Sequence, residues 1–271
     1  MARAAPAPNP VMPNDIRLMN LTAVLCAALG VVALLVVGLM WIAKQPVFSV
    51  RGIRIDGDMA HNSVLTIRAN AAPKLAGNFF TMDLGAARRA FEAVPWVRQA
   101  VVRRVWPNRL SVQLEEHRAV ALWVDVARGN DDAADKLVNS YGEVFEANVG
   151  DVEDDALPTL RGPEGSSAAM LTLFGRLQPV FAAMDAHIDT LGLSGRGSWR
   201  VELDTGAEIE LGRGTDDEVL ARTDRFIGTL TQVTSRYQRP LEYADLRHRD
   251  GYALRLRGIT TVVPPAKDKR N

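Results

Sequence analysis

Cysteine is almost missing from this chain: of 271 residues only Cys26 carries a thiol. That excludes a disulfide framework and a thiolate metal site everywhere else, so any folded part must be held by apolar cores. An excess of either charge is missing too. Lysine and arginine number 32 and so do aspartate and glutamate, which leaves no basic excess of the kind that neutralises phosphates, and nucleic acid is not an expected partner. Long apolar runs are absent with one exception.

The exception is Leu21 to Ala43, where Cys26 is the only ionisable side chain. As a helix this run reaches about 35 Å, enough to cross a hydrocarbon core of about 30 Å. One central lysine or arginine would disfavour insertion by roughly 2.5–3.5 kcal/mol, so the lack of charge over the whole run is informative. Trp41 suits the far interface, and Lys44 with Pro46 ends the run. A cleaved signal peptide fits poorly, because twenty residues precede the run and Met40 to Lys44 is no small-residue cleavage site. Residues 1–20, with four prolines, read as a flexible tail. Arg3 and Arg17 before the span are matched by Lys44, Arg51 and Arg54 after it, so charge does not orient it. Cys26 reads as an apolar passenger, and Ala23 with Ala27 as a small-residue pair open to helix approach.

Behind the span, Val47 to Gly57 reads as a strand interrupted at Gly52. Asn62 or Ser63 can cap a short helix carrying Val64, Leu65 and Ile67. A second helix opens at Asp83, places Leu84, Ala87, Phe91 and Val94 on one face, and stops at Pro95. Two strands follow, Val97 to Val105 and Arg109 to Glu115, around the turn Trp106-Pro107-Asn108. The order is strand, helix, helix, strand, strand.

Beyond Arg118 the pattern turns to longer β structure. Val120, Leu122 and Val124 alternate in a strand; Ala127 to Asp135 is a polar loop; Leu137 to Phe145 is a hairpin, and Gly150 to Asp155 an acidic loop. A helix from about Ser167 turns Leu171, Phe174, Phe181 and Met184 inward, with Pro179 bending or splitting it. Ser198 to Leu203 and Ala207 to Leu211 form a hairpin about Asp204-Thr205-Gly206. Thr215-Asp216-Asp217-Glu218 has the form of a capping box for a helix to about Tyr237. Tyr243 to Arg247, an Arg249-Asp250-Gly251 turn and a last strand, Tyr252 to Arg257, precede a basic, proline-containing tail.

Phe48-Ser49-Val50-Arg51-Gly52-Ile53-Arg54-Ile55-Asp56-Gly57, Pro95-Trp96-Val97, Val105-Trp106-Pro107-Asn108-Arg109-Leu110 and Val112 to Trp123 follow a single span in that order. Together they resemble the POTRA module and following strand of the bacterial cell-division family FtsQ, called DivIB in Gram-positive organisms. Ala119 departs from the family, many members of which have proline there, and Asn139 stands where aspartate is common. The resemblance implies an α+β protein: a tail over 1–20, a transmembrane helix over 21–43, a POTRA domain (β-α-α-β-β) over 44–117, a mixed β domain with helices packed on its sheet over 118–258, and a flexible tail over 259–271. It further implies a single-pass inner-membrane protein with periplasmic C-terminal domains at the division septum, a non-enzymatic scaffold that binds FtsB and FtsL homologues and helps control septal peptidoglycan synthesis. The family binds FtsB at the terminal strand, and the matching residues are Arg247, His248, Gly251, Tyr252, Ala253, Leu254, Arg255 and Leu256. Alternation places Tyr252 and Leu254 on one side, and proline at Ala253 is expected to remove an amide, stiffen the edge and abolish docking while the domain stays folded.

Chemistry is hard to find in the residues themselves. His61, His117, His187 and His248 lie in separate elements without ligand spacing. Asp185, His187 and Asp189 read as a solvated helix face; Ser140 and Ser194 lack a nucleophile-elbow context. Gly195-Arg196-Gly197 and Gly212-Arg213-Gly214 open no nucleotide-binding helix, and Asp131 to Asp135 and Asp151 to Asp155 lack the spacing of a calcium loop. No cofactor, metal or small-molecule substrate is expected, which disfavours a tethered cell-wall hydrolase. The alternative reading is an inner-membrane POTRA-containing chaperone or transport subunit.

Overall fold

The apolar run becomes α1, Asn14–Ala43, thirty residues long. It starts seven residues before Leu21, where a flexible tail was expected, because Pro13 is the last proline before the run and nothing after it stops helix propagation. Leu21, Leu25, Val32, Leu35 and Leu39 are all exposed, and its apolar stretch is buried nowhere. A helix this apolar, with none of the described residues covering its apolar stretch, is suited to lipid. This computed structural model describes residues 14–57, 59–75, 77–126, 136–237, 239–248 and 251–258. The expected loop Ala127 to Asp135, the Arg249-Asp250 pair, residues 1–13 of the N-terminal tail and the tail from 259 lie outside them.

The chain divides into two units, one within Met1–Asp58, Ser63–Val94 and Gln99–Leu114, the other within Met59–Asn62, Pro95–Arg98 and Glu115–Asn271. In the first, β1 (Gly52–Gly57), α2 (Val64–Ala71), α3 (Leu84–Glu92), β2 (Val97–Val105) and β3 (Arg109–Glu116) follow the expected order. The strands lie β1-β3-β2, with β1 parallel to β3. Ser63 caps α2, its hydroxyl accepting from Thr66 N at 3.1 Å, and Asp83 caps α3, accepting from Gly85 N at 2.7 Å. Ile67, Ala71, Ala87, Ala90 and Phe91 from the helices and Leu110 and Val112 from β3 are buried. One correction concerns Phe48. It belongs to a 3-10 turn, Pro46–Phe48, and the strand begins only at Gly52. Proline at the first turn position fixes that turn, and Phe48 packs edge-on against Phe80 at 4.9 Å.

The second unit holds, among the described residues, a nine-stranded sheet ordered β12-β11-β10-β9-β8-β7-β4-β5-β6. The strands are β4 (Ala119–Asp125), β5 (Lys136–Asn139), β6 (Val144–Phe145), β7 (Thr159–Gly162), β8 (Ile188–Leu193), β9 (Trp199–Leu203), β10 (Glu208–Gly212), β11 (Leu241–Asp245) and β12 (Ala253–Leu256). Helices α4 (Ser167–Ala182) and α5 (Asp216–Tyr237) cover one face. Met170, Leu173, Leu177 and Phe181 of α4 and Val219, Phe226 and Leu230 of α5 meet Leu160, Leu191, Val201, Ile209 and Ala244 of the sheet. The sequence pattern thus placed the α4 stripe one residue off: Leu171 and Phe174 lie half-buried at its margin. Pro179 stays inside a single helix.

Two elements differ in kind. The acidic stretch is a 3-10 segment, Val149–Asp155, started by Asn148, whose side chain accepts from Gly150 N. Asp185, read as part of a helix face, lies past the end of α4 with φ 55, and Ile188–Leu193 is a strand. Six residues with apolar side chains at only half the positions fit either period. The Thr215 box forms as expected, Thr215 N donating to Glu218 Oε2 at 2.9 Å and Glu218 N to Thr215 Oγ1 at 3.4 Å.

Candidate partner-binding edge

The terminal strand β12 is an edge of the large sheet, and among the described residues no strand lies beyond it. Its side chains alternate. Leu256 is buried, Tyr252 and Leu254 pack half-buried against the core, and Ala253 and Arg255 are exposed on the other face. Tyr252 is held twice, edge-on to Phe226 at 5.0 Å and by its hydroxyl donating to Thr229 Oγ1. Arg255 pairs with Glu242, Nε to Oε1 3.1 Å, and its guanidinium lies 5.8 Å from the Tyr243 ring centre. Gly251 and His248 are exposed before the strand.

The direction of each backbone group follows from two hydrogen bonds. Leu246 N donates to Glu210 O at 2.9 Å, so on β11 the groups of Ala244 also face β10, and those of Tyr243 and Asp245 face β12. Tyr243 lies opposite Arg255 and Asp245 opposite Ala253. Ala253 and Arg255 therefore turn their N–H and C=O toward β11. Arg257 N, donating to Pro240 O at 3.0 Å, keeps the same alternation. The outward-facing groups are those of Leu254 and Leu256. This corrects the expectation for Ala253: its amide serves the internal ladder and not the free edge.

Beside the edge, Arg247 closes on Asp245, Nε to Oδ1 2.9 Å and Nη2 to Oδ2 2.6 Å, while its own N–H donates to Oδ1 at 3.0 Å. The Arg247 guanidinium holds the Asp245 carboxyl down at a pKa of about 2, and Asp245 raises that of Arg247 in return. Arg247 also borders a 470 Å³ cleft with Ser194, Arg196, Ser198, Arg213 and Arg222. Arg222 donates to the Leu211 and Arg213 carbonyls, whereas Arg196 and Arg213 meet no carboxylate among the described residues. The Arg196 and Arg213 loops, which open no nucleotide-binding helix, thus converge on the same basic cleft as Arg247. No local spacing signals that convergence, because α5 and three separate loops make it.

The other residues weighed for chemistry serve the fold. His187 N and Nδ1 lie 3.1 and 3.3 Å from the two Asp204 oxygens and close a turn, and Ser194 Oγ accepts from Ser198 N at 2.9 Å. His61 stacks on Trp96 at 3.8 Å, and His117 on Phe145 at 4.0 Å. Burial lowers the pKa of His117, whose Nδ1 lies 2.9 Å from Asn139 Nδ2. Asn139 is itself buried and organises its hairpin, accepting from Tyr141 N and Glu143 N and donating to Glu143 Oε2. Aspartate there would supply the two acceptors without that donor. Among the described residues no three histidine, cysteine or acidic side chains gather to hold a metal.

A membrane helix, a small β-α-α-β-β module and a helix-backed mixed sheet define a single-pass anchored protein of the POTRA-containing class. Residues 48–117 match the family model described as "POTRA domain, FtsQ-type", and residues 127–247 match "Cell division protein FtsQ/DivIB, C-terminal". The second match ends before β12. A cell division protein FtsQ of Burkholderia pseudomallei is 41% identical over 95% of this chain and 99% of its own length. Others from Bordetella pertussis (38%, over 90% of this chain and 92% of the relative) and Neisseria meningitidis (29%, over 80% and 86%) agree with it. The chain belongs to the FtsQ/DivIB family of cell division proteins.

Proposed function

We propose that this chain is a non-enzymatic divisome scaffold of the inner membrane, with a POTRA domain over 44–117 and a β domain over 118–258 on the periplasmic side at the septum. It recruits and links FtsB and FtsL homologues there and helps control septal peptidoglycan synthesis. Its partner site comprises Arg247, His248, Gly251, Tyr252, Ala253, Leu254, Arg255 and Leu256. The observation that carries this reading is the outward backbone of Leu254 and Leu256 on a strand whose inward side chains are already locked. A segment of the FtsB homologue adds there as a further strand, with backbone hydrogen bonds giving affinity and the neighbouring side chains giving specificity. The basic cleft at Arg247 supports an acidic flank on that segment.

Co-purification tests it. The tagged full-length chain is expected to retain the FtsB and FtsL homologues of the same cell, and an Arg247→Glu, Arg255→Glu variant to lose them. Equal retention by a folded variant contradicts the site, and no retention by the parent contradicts the scaffold role.

A further inference from the structure

The first unit carries a second basic cleft, of 450 Å³, bordered by Arg51, Gly52, Ile53, Arg54, Arg68, Asn108 and Arg109. Arg54 is neutralised by Asp56, Nε to Oδ2 2.9 Å. Arg51, Arg68 and Arg109 are exposed and meet no carboxylate among the described residues. They come from three elements: Arg51 immediately before β1, Arg68 in the last turn of α2, and Arg109 at the first position of β3, its stem lying over Gly52. Nothing in the fold of this unit requires three unpaired guanidinium groups to converge.

Their place along the chain says what they face. Only eight residues separate Ala43, the end of α1, from Gly52, the start of β1, and that connection is fixed at both ends. Asn78 Nδ2 donates to Ala43 O at 2.5 Å, Phe79 N to Phe48 O at 2.8 Å, and Arg51 N to Asn108 O at 3.0 Å. Because β3 runs parallel to β1 with Gly52 opposite Arg109, the turn Trp106-Pro107-Asn108 comes to the same end of the sheet as the exit from the span. Trp106 is 76% exposed there. Val47 and Phe80 are exposed near the same exit. Exposed aromatics beside unpaired arginines, a few residues from a membrane helix, match the composition of a bilayer interface, where rings sit at headgroup level and guanidinium groups bind phosphates.

We infer that this end of the POTRA module docks on the membrane surface, Arg51, Arg68 and Arg109 binding the phosphate of an anionic phospholipid and Trp106 entering the headgroup layer. The contact fixes the module's tilt on its anchor. It uses none of the residues assigned to the partner edge, so it stands or falls separately from that assignment.

The test uses the full chain with Cys26→Ser and Val105→Cys, carrying an environment-sensitive fluorophore at residue 105, in nanodiscs containing a lipid-borne quencher. Discs of phosphatidylcholine alone are compared with discs also containing phosphatidylglycerol. Quenching is expected to rise with phosphatidylglycerol and to fall with added salt. Each arginine contributes about fivefold in local association, so an Arg51→Gln, Arg68→Gln, Arg109→Gln variant returns quenching to the neutral-lipid level. Trp106→Ala lowers it with the arginines intact. Equal quenching in the two kinds of disc overturns the inference, as does quenching that survives the triple substitution. A response to inorganic phosphate in neutral discs, with none to phosphatidylglycerol, assigns the cleft to a soluble anion and also overturns it. Unchanged circular dichroism identifies the variants that count.

Discussion

Arg247 grips Asp245 through both carboxylate oxygens, and Asp245 in turn lies opposite Ala253 on the terminal strand. The pair ties the segment after β11 back onto β11, the strand against which the proposed docking edge is paired. The Asp245 carboxyl has its folded pKa depressed from 3.8 to about 2. The stabilisation from this group is therefore present above about pH 3.8 and is lost as pH falls through about 2. Urea unfolding of Asp245→Asn is expected to show lower stability than the parent at neutral pH, with the difference closing toward pH 2. A difference that persists undiminished at pH 2 contradicts the pairing.

His117 carries the opposite chemistry on a similar rule. Burial lowers its pKa below the ordinary 6.5, so the neutral ring is preferred in the folded chain. Its contribution is complete above about pH 6.5 and falls as pH drops toward the folded value, below which it is flat. His117→Gln removes that slope below pH 6.5, measured by the denaturation midpoint, while the Asp245 slope at lower pH remains.

Phe91, 0% exposed, is the largest buried side chain of α3, in the unit that also buries Leu110 and Val112 on β3. Phe91→Ala costs about 3–5 kcal/mol, the range for removing a fully buried aromatic ring. A loss below about 1 kcal/mol in urea titration of the full chain in detergent contradicts this core.

Much of the fold was legible because its signals are local. Asp83 and Ser63 cap where expected, Thr215 and Glu218 close their box, and the Val97 to Glu116 hairpin pairs about Trp106-Pro107-Asn108. What escaped was set by distant partners. Ile188–Leu193 is a strand because Leu160 and Val201 flank it in the sheet. Trp96, directly after the helix-stopping Pro95, is buried, its indole donating to Asp151 at 3.0 Å across 55 residues of sequence. The edge character of β12 was readable from the pattern, but not which of its amides face out, because that depends on the phase of β11 against β10.

That phase changes what proline does at Ala253. Its amide faces β11, so Ala253→Pro removes an internal ladder bond and costs about 1–3 kcal/mol in unfolding free energy. Loss of FtsB binding in this variant is thus expected to accompany destabilisation. An unfolding midpoint equal to the parent's places the Ala253 amide on the free edge instead.

Amide hydrogen exchange read residue by residue along β12, with and without the FtsB homologue, tests the central claim most directly. In the free chain Ala253 and Arg255 are expected to exchange slowly and Leu254 and Leu256 quickly. Binding is expected to slow Leu254 and Leu256 by about tenfold or more, as backbone bonds form on the open edge. Saturation with the partner that leaves both amides as fast as before contradicts strand addition at this edge.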